Sequence, residues 1–383
     1  MAIHFSEAEL KGRRERACRA MAADGLDGLL IFRQESMFYL TGYDTFGFVY
    51  FQCLYLGADG DMFLLTRAPD LRQARHTSVI EEIHVWVDRE GVNPARELRD
   101  LLHQRRLSGK KLGVEWESYG LTAANGRRLD HALDGFCDLE DASTLVSRLR
   151  LVKSAAELDY VRRAAELADE AYDRALDLAG PGADEGAILA AMQGAVFEGG
   201  GDYAGNEFII GSGPDALLCR YKSGRRRLDA RDQLTLEWAG VYRHYHAAMM
   251  NTFLIGAVSD AHRALHAAAR EAILECEAAL KPGNSMSDVF MAHARVLDAH
   301  GLKDHRMNAC GYAMGTCFAP NWMDWPMFYE GNPVELKPGM TFFIHIIIAN
   351  SDDGLAMTLG RSSIVGESGA EVLSKRPLDL VVR

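Results

Sequence analysis

The run QLTLEWAGVYRHYHAAMMNTFLIG, Gln233 to Gly256, puts an acid where a strand would bury it. Leu234 and Leu236 alternate with Thr235 and Glu237, the period of two that gives a strand unlike faces. A carboxylate sunk in an apolar strand costs on the order of several kcal/mol unless its pKa shifts or a partner binds. Such costs concentrate where side chains do chemistry. Glu237 is therefore a candidate nucleophile or general base; the structural alternative is a carboxylate paired with an arginine. Gly240 punctuates the strand, and Thr252 to Gly256 reads as the return of a hairpin. A second polar group interrupts a second apolar run, His345 in MTFFIHIIIA. An imidazole there serves as acid to a leaving nitrogen or as base to water, or is a core histidine bonded to a backbone carbonyl. His244 and His246, two apart, would share a strand face. With Glu237 and His345 they have the types of a mononuclear metal site, but the metal-free reading is preferred.

Other residues offer recognition. Arg220, in Leu218-Cys219-Arg220-Tyr221, begins a basic cluster with Lys222, Arg225, Arg226 and Arg227. The cluster is a solvated loop or dimer contact, or else Arg220 clamps a substrate carboxylate in bidentate fashion. Asp202 follows three glycines, where backbone approaches a ligand closely; it pairs with a substrate amidinium or braces its own turn. Tyr43, Phe46, Trp322 and Trp325 supply either an aromatic wall for a small cation or ordinary core. Tyr312 is a hydrogen-bond partner for an oxyanion or a substrate nitrogen. No GxSxG and no Cys–His pairing stand out, so no serine or cysteine nucleophile is expected.

These side chains need a scaffold. The chain has 383 residues, 48% hydrophobic and 25% charged, enough for two or three globular domains. A net charge of -12 argues against a general binder of nucleic acid or anionic membrane. No segment has the roughly 18 apolar residues of a membrane span, and the N-terminus lacks a secretory apolar region. The seven scattered cysteines include no CxxC, so reduced thiols and a cytoplasmic location are expected.

Up to about residue 147, strands expected near 26–32, 48–56, 62–65, 83–87 and 111–115 alternate with helices near 7–24 and 93–106, an α/β domain. No GxGxxG follows any of these strands, so no dinucleotide or other cofactor is implied. Residues 148–383 form a second domain. Ser154 with Glu157 is a capping box opening a helix to about 179, and Gly180-Pro181-Gly182 separates it from a helix over 184–198. The order then recurs: a helix over 261–280, a break at Lys281-Pro282-Gly283, and a helix over 286–300. The breaks lie about 100 residues apart, which predicts a degenerate internal repeat with Glu237 and His345 at comparable points of the two halves.

This layout resembles the pita-bread superfamily of methionine aminopeptidase, prolidase and creatinase, from about Met37 onward. The likeness is strongest at Lys153-Ser154, at Leu280-Lys281-Pro282-Gly283 and at the hairpin end Thr252-Phe253. It implies an α/β N-terminal domain plus an α+β pita-bread C-terminal domain with a pseudo-twofold repeat. Metal-dependent members hold two ions with two aspartates, a histidine and two glutamates. Those places fall here on Glu237, Ala248, Tyr312, His345 and Gly360, or on Arg361 with a one-residue slip. Alanine and glycine have no ligating side chain, so the resemblance implies a dismantled metal site.

The metal-free members most similar are the ectoine hydrolases, with creatinase further off, at Leu40-Thr41-Gly42-Tyr43-Asp44, Gly200-Gly201-Asp202-Tyr203, Glu237 to Met249, Cys310-Gly311-Tyr312, Pro320-Asn321-Trp322 and Leu336 to Met340. That implies cleavage of a C–N bond in a small amidine or amide by a homodimer. Two departures stand out. Arg220 takes the place of the histidine those enzymes use before the Glu237 strand, and His345 is unlike the ectoine enzyme at its position. The alternatives are a metal-dependent Xaa-Pro peptidase and a degenerate small-molecule-binding homologue.

Overall fold

The computed structural model describes residues 3–220 and 224–383. The chain divides into two compact units, Met1–Arg150 and Leu151–Arg383.

The first unit is a six-stranded sheet with helices. In chain order its elements are α1 (Glu7–Ala23), β1 (Gly28–Ile31), α2 (Gln34–Thr41), β2 (Cys53–Gly57), β3 (Met62–Arg67), α3 (Leu71–Thr77), β4 (Ile83–Trp86), α4 (Pro94–Gln104), β5 (Lys111–Val114), α5 (Ala123–Leu133), β6 (Asp138–Asp141) and α6 (Leu145–Leu151). The strand order is β4-β3-β2-β1-β5-β6. β1 and β5 run parallel, and α2 starts just past β1. In such sheets that place favours an anion. Here Glu115 fills it from within: its buried carboxylate accepts from the backbone N–H of Phe32 and Arg33 at 3.1 and 2.9 Å and from Ser36 Oγ at 2.6 Å.

The second unit contains two copies of one plan. Ser154 caps α7 (Ala155–Leu178) in a full capping box with Glu157, and Asp184 caps α8 (Glu185–Glu198). β7 (Ile209–Ser212), β8 (Asp232–Tyr242) and β9 (Tyr245–Ile255) follow. The second copy has α9 (Asp260–Ala279), α10 (Met286–Ala299), β10 (Gly311–Ala313), β11 (Asp324–Met327), β12 (Thr341–Asn350), β13 (Leu355–Val365) and β14 (Ala370–Val372). In both copies a glycine with positive φ, Gly182 (79°) or Gly283 (85°), turns the chain between paired helices. The strands form one antiparallel sheet, β11-β10-β12-β13-β9-β8-β7, with β14 paired to β13. β9 and β13 meet at its centre, where Met250 pairs with Gly360. The expected repeat is therefore present, with its pseudo-twofold at that pair.

One face of the sheet carries helices. Trp238 donates its indole N–H to Ala168 O of α7 at 2.9 Å, and Arg361 of β13 pairs with Glu277 of α9 through two bonds of 2.6 and 2.8 Å. Phe342, Ile344, Ile346 and Ile348 pack into the core with α9 and α10. By strand alternation the opposite face presents Thr235 and Glu237, Ala248, Met250 and Thr252, Thr358 and Gly360, and Phe343 and His345. Thr252 Oγ1 lies 3.2 Å from Thr235 Oγ1 and 3.0 Å from Thr358 Oγ1, tying three strands on that face.

Gly240 does not end the strand as expected. It lies inside β8, against α7: a Cβ there would come within 1.9 Å of Ala164 O and 2.4 Å of Ala168 N. The hairpin turns instead at Arg243 and His244, with φ of 51° and 64°, the sign of φ that a two-residue turn of type I′ needs. β13 runs the full length from Leu355 to Val365, and the short β10 and β11 had no sequence expectation. Among the described residues no helix is long and apolar enough to cross a membrane.

Candidate active site

Pairing register places the two candidate ionisable groups in one lateral row. Glu237 pairs with Met250, Met250 with Gly360, and Gly360 with His345. Directly paired residues point to the same side, so the row faces away from the helices. Tyr312 joins from β10, paired with Phe343 of β12. In a flat sheet four strand spacings, roughly 19 Å, would separate Tyr312 from Glu237. Its hydroxyl instead lies 3.4 Å from Glu237 Oε1. The sheet is curled, and the curl closes the site. Trp322 Nε1 donates to Tyr312 Oη at 2.8 Å, and the rings of Tyr312, Phe343 and His345 stand 5.4–5.7 Å apart, centroid to centroid.

Burial sets the protonation states. Glu237 is 8% exposed, and desolvation pushes its carboxyl up to about 7, against the charge of Arg220 and the Tyr312 hydrogen bond, which pull it down. It thus titrates near neutrality, as a general acid–base must. Desolvation lowers His345 to about 3, helped by His293 and Arg220. The ring is neutral near pH 7, so it is not a resting imidazolium donor, one of the roles expected for it. Its Nδ1 is buried with no hydrogen-bond partner among the described residues, a cost of about 1–3 kcal/mol that a ligand atom would relieve.

The remaining expected site residues divide. Arg220 is exposed and makes no ion pair among the described residues, and its charge acts on Glu237, Tyr312 and His345 alike. The described arginines after it serve the local structure: the Arg225 and Arg226 backbone N–H groups bind Glu185 Oε2 at 2.7 and 2.9 Å, and Arg226 pairs with Asp229. Lys222 and Tyr221 lie outside the described residues. Asp202 Oδ2 accepts the His244 backbone N–H at 3.1 Å, bracing the hairpin turn.

Three expectations need correction. His246 has no nitrogen to offer a substrate: Nδ1 meets His244 O at 2.8 Å and Nε2 accepts from Gly205 N at 2.9 Å. Burial lowers its pKa to about 4, so it is a neutral bracket between backbone segments. His244 sits in the turn, stacked on Phe318 at 4.3 Å, and shares no strand face with His246. Tyr43 is an interior residue of the first unit, fully buried with its hydroxyl 3.3 Å from Gln52 Oε1, while Phe46 of that unit is 72% exposed. The aromatic wall beside Glu237 is Tyr312, Phe343 and Trp322. Phe343 went unread, although it lies two residues before His345 on the same face.

These residues do not fit a pair of divalent ions. Glu237 and His345 can ligate, but Ala248 and Gly360 cannot, and the space of a side chain at 360 is taken by Phe343, whose ring would lie 2.8 Å from a Cβ there. Arg361 faces α9 and Glu277, which removes the one-residue slip. Among the described residues no three His, Cys, Asp or Glu side chains are grouped to hold a metal, whereas two dications need several carboxylates.

Comparisons with known proteins agree with this architecture. The family model of metallopeptidase family M24 matches residues 159–370, and that of the creatinase/prolidase N-terminal domain matches residues 13–152. Ectoine hydrolase of Halomonas elongata is 29% identical over 100% of this chain and 99% of its own. Xaa-Pro dipeptidase of Pyrococcus furiosus is 21% identical over 97% of this chain and 100% of its own. The crystal structure of dipeptidase PepE from Mycobacterium ulcerans superimposes with a TM-score of 0.85 at 26% identity, over 99% of each chain.

Proposed function

The chain belongs to metallopeptidase family M24, and on that premise we propose that it is a metal-independent hydrolase of a C–N bond in a small polar amidine or amide, of the kind ectoine hydrolase acts on. The observation that carries this reading is the row Glu237–Met250–Gly360–His345, which keeps one acid and one imidazole where a dinuclear site needs five ligands.

The steps follow from protonation. Glu237 as carboxylate takes a proton from water as the water oxygen adds to the amidine carbon. The same carboxyl, now neutral, returns the proton to the departing nitrogen as the C–N bond breaks, a double role suited to a group titrating near 7. Neutral His345 holds a substrate N–H or the attacking water through its open Nδ1. Arg220 takes a substrate carboxylate at the exposed rim. A homodimer is part of the proposal, and sedimentation of the purified chain reads it.

Protein stripped with chelator should hydrolyse members of a cyclic amidine and linear amide panel as fast as untreated protein. Glu237→Gln should abolish turnover with the fold intact. Loss of activity on stripping, restored by a divalent ion, would reject the metal-free step. The similarity to the Xaa-Pro dipeptidase favours a second reading, a metallopeptidase of Xaa-Pro dipeptides. That reading requires about stoichiometric metal by elemental analysis. A melting shift with panel ligands but no turnover would leave a binding homologue.

A further inference from the structure

One buried hydrogen-bonded chain has its direction set by chemistry. An indole N–H only donates, and Trp322 Nε1 lies 2.8 Å from Tyr312 Oη. The phenol oxygen is the acceptor there, so its own proton is left for its other partner, Glu237 Oε1, at 3.4 Å. The first contact has ordinary length and the second is long for O–H···O; the hydroxyl is held from the indole side. All three side chains are buried. The Trp322 backbone is anchored in turn: its N–H donates to Asn206 Oδ1 at 3.1 Å, and its carbonyl accepts from Cys317 Sγ at 3.2 Å.

We infer that Trp322 is a positioning residue which, by holding Tyr312 Oη as an acceptor, turns the phenolic proton onto Glu237 Oε1 and leaves Oε2 as the oxygen that exchanges a proton with water or substrate. The catalytic half of this inference rests on the proposed role of Glu237; the hydrogen-bond direction stands without it. An oxygen that receives a hydrogen bond is the poorer site for the acidic proton. Neutral Glu237 therefore carries its hydrogen on Oε2, the geometry needed to hand it to a departing nitrogen. Trp322 then acts on Glu237 through Tyr312.

The test follows Glu237 directly. The full chain is labelled with 13C at glutamate side chains, and the carboxyl infrared band that Glu237→Gln removes is titrated against pH. Arg220 and Tyr312 are the charged or titratable groups acting on Glu237, and Trp322→Phe keeps both. Trp322→Phe should raise the Glu237 midpoint, because the carboxylate loses its directed donor, and Tyr312→Phe should raise it at least as far. The double variant should match Tyr312→Phe alone, since without the hydroxyl the indole has nothing to direct. An unchanged midpoint in Trp322→Phe, or shifts that add in the double variant, would overturn the inference. Should Trp322→Phe fail to fold, 3-benzothienylalanine at position 322, with sulfur in place of the N–H, gives the same comparison at constant shape. Coupled shifts in a protein inactive on the whole panel would sink the catalytic reading and keep the hydrogen-bond direction. Uncoupled shifts in an active enzyme would do the reverse.

Discussion

Gly360 stands directly opposite His345 on paired strands, and the ring of Phe343 occupies the space a side chain at 360 would need. A Cβ there would meet Phe343 Cε2 at 2.8 Å and Met250 Cβ at 3.1 Å. Gly360→Ala should therefore destabilise the chain by about 1–3 kcal/mol, the usual cost of overpacking. Phe343→Leu shortens the obstructing side chain and should recover part of that loss in the double variant. Urea unfolding of the two single variants and the double measures it. Losses that simply add would show that the two positions do not share this space.

Much of the scaffold was legible because its signals are local. A capping box, Pro-Gly breaks and amphipathic helices each lie within a few residues, and they located α7, α8, α9 and α10 with the repeat they build. Glu237 was legible because a carboxylate in an apolar strand is a local anomaly. What escaped depends on partners distant in sequence. His246 looked free because Gly205, which fills its Nε2, is 41 residues away. Gly240 looked like a turn because Ala164 and Ala168 of α7, which press on it, come more than 70 residues earlier. Tyr43 and Trp322 could not be sorted into core and site from spacing alone, since aromatic residues serve both.

Stability should respond to pH through Glu237 in a direction opposite to an ordinary ion-paired acid. Its folded pKa, about 7, lies above the ordinary 4.5. Between those values the native state holds a proton that the unfolded chain has lost, so this group's stabilising share falls as pH rises through the window. The difference amounts to at most about 3 kcal/mol. Glu237→Gln, always neutral, should raise the melting temperature relative to the parent at pH 8 and leave it nearly equal at pH 5. An equal effect at both pH values would place the carboxylate in a polar setting.

His345, His246 and His293 oppose this trend. Burial lowers them to about 3, 4 and 4 from 6.5. Each contributes stability above pH 6.5 that is lost as pH falls toward its folded pKa. Three such groups outweigh one acid, so the parent should unfold more readily from pH 6.5 downward. A melting temperature constant from pH 7 to pH 4.5 would contradict the buried, neutral state of these rings.

Arg220 holds part of Glu237 ionised through its charge. Arg220→Gln removes that help, and the acid limb of kcat/KM, which reports loss of the Glu237 base, should move to higher pH. KM for a carboxylate-bearing substrate should rise in the same variant, while an analogue lacking the carboxylate should bind as before. A shifted limb with unchanged KM would mean that Arg220 tunes Glu237 without touching substrate.

The helix contact at Gly240 makes the sharpest structural prediction. A Cβ there would lie 1.9 Å from Ala164 O and 2.4 Å from Ala168 N, both backbone atoms of α7 that cannot rotate away. Gly240→Ala must lift α7 from β8, and that movement also pulls Ala168 O from the indole of Trp238, now at 2.9 Å. The cost should reach or exceed about 3 kcal/mol, the upper end of ordinary overpacking. It should read as a lower urea midpoint or as insoluble protein. Gly194 of α8 supplies the contrast, because a Cβ there meets nothing within 4 Å among the described residues. Gly194→Ala should instead stabilise by about 0.5–1 kcal/mol through helix propensity alone. Equal stability of the two variants would mean that α7 does not lie against Gly240, and the face of β8 that carries Glu237 would have to be assigned anew.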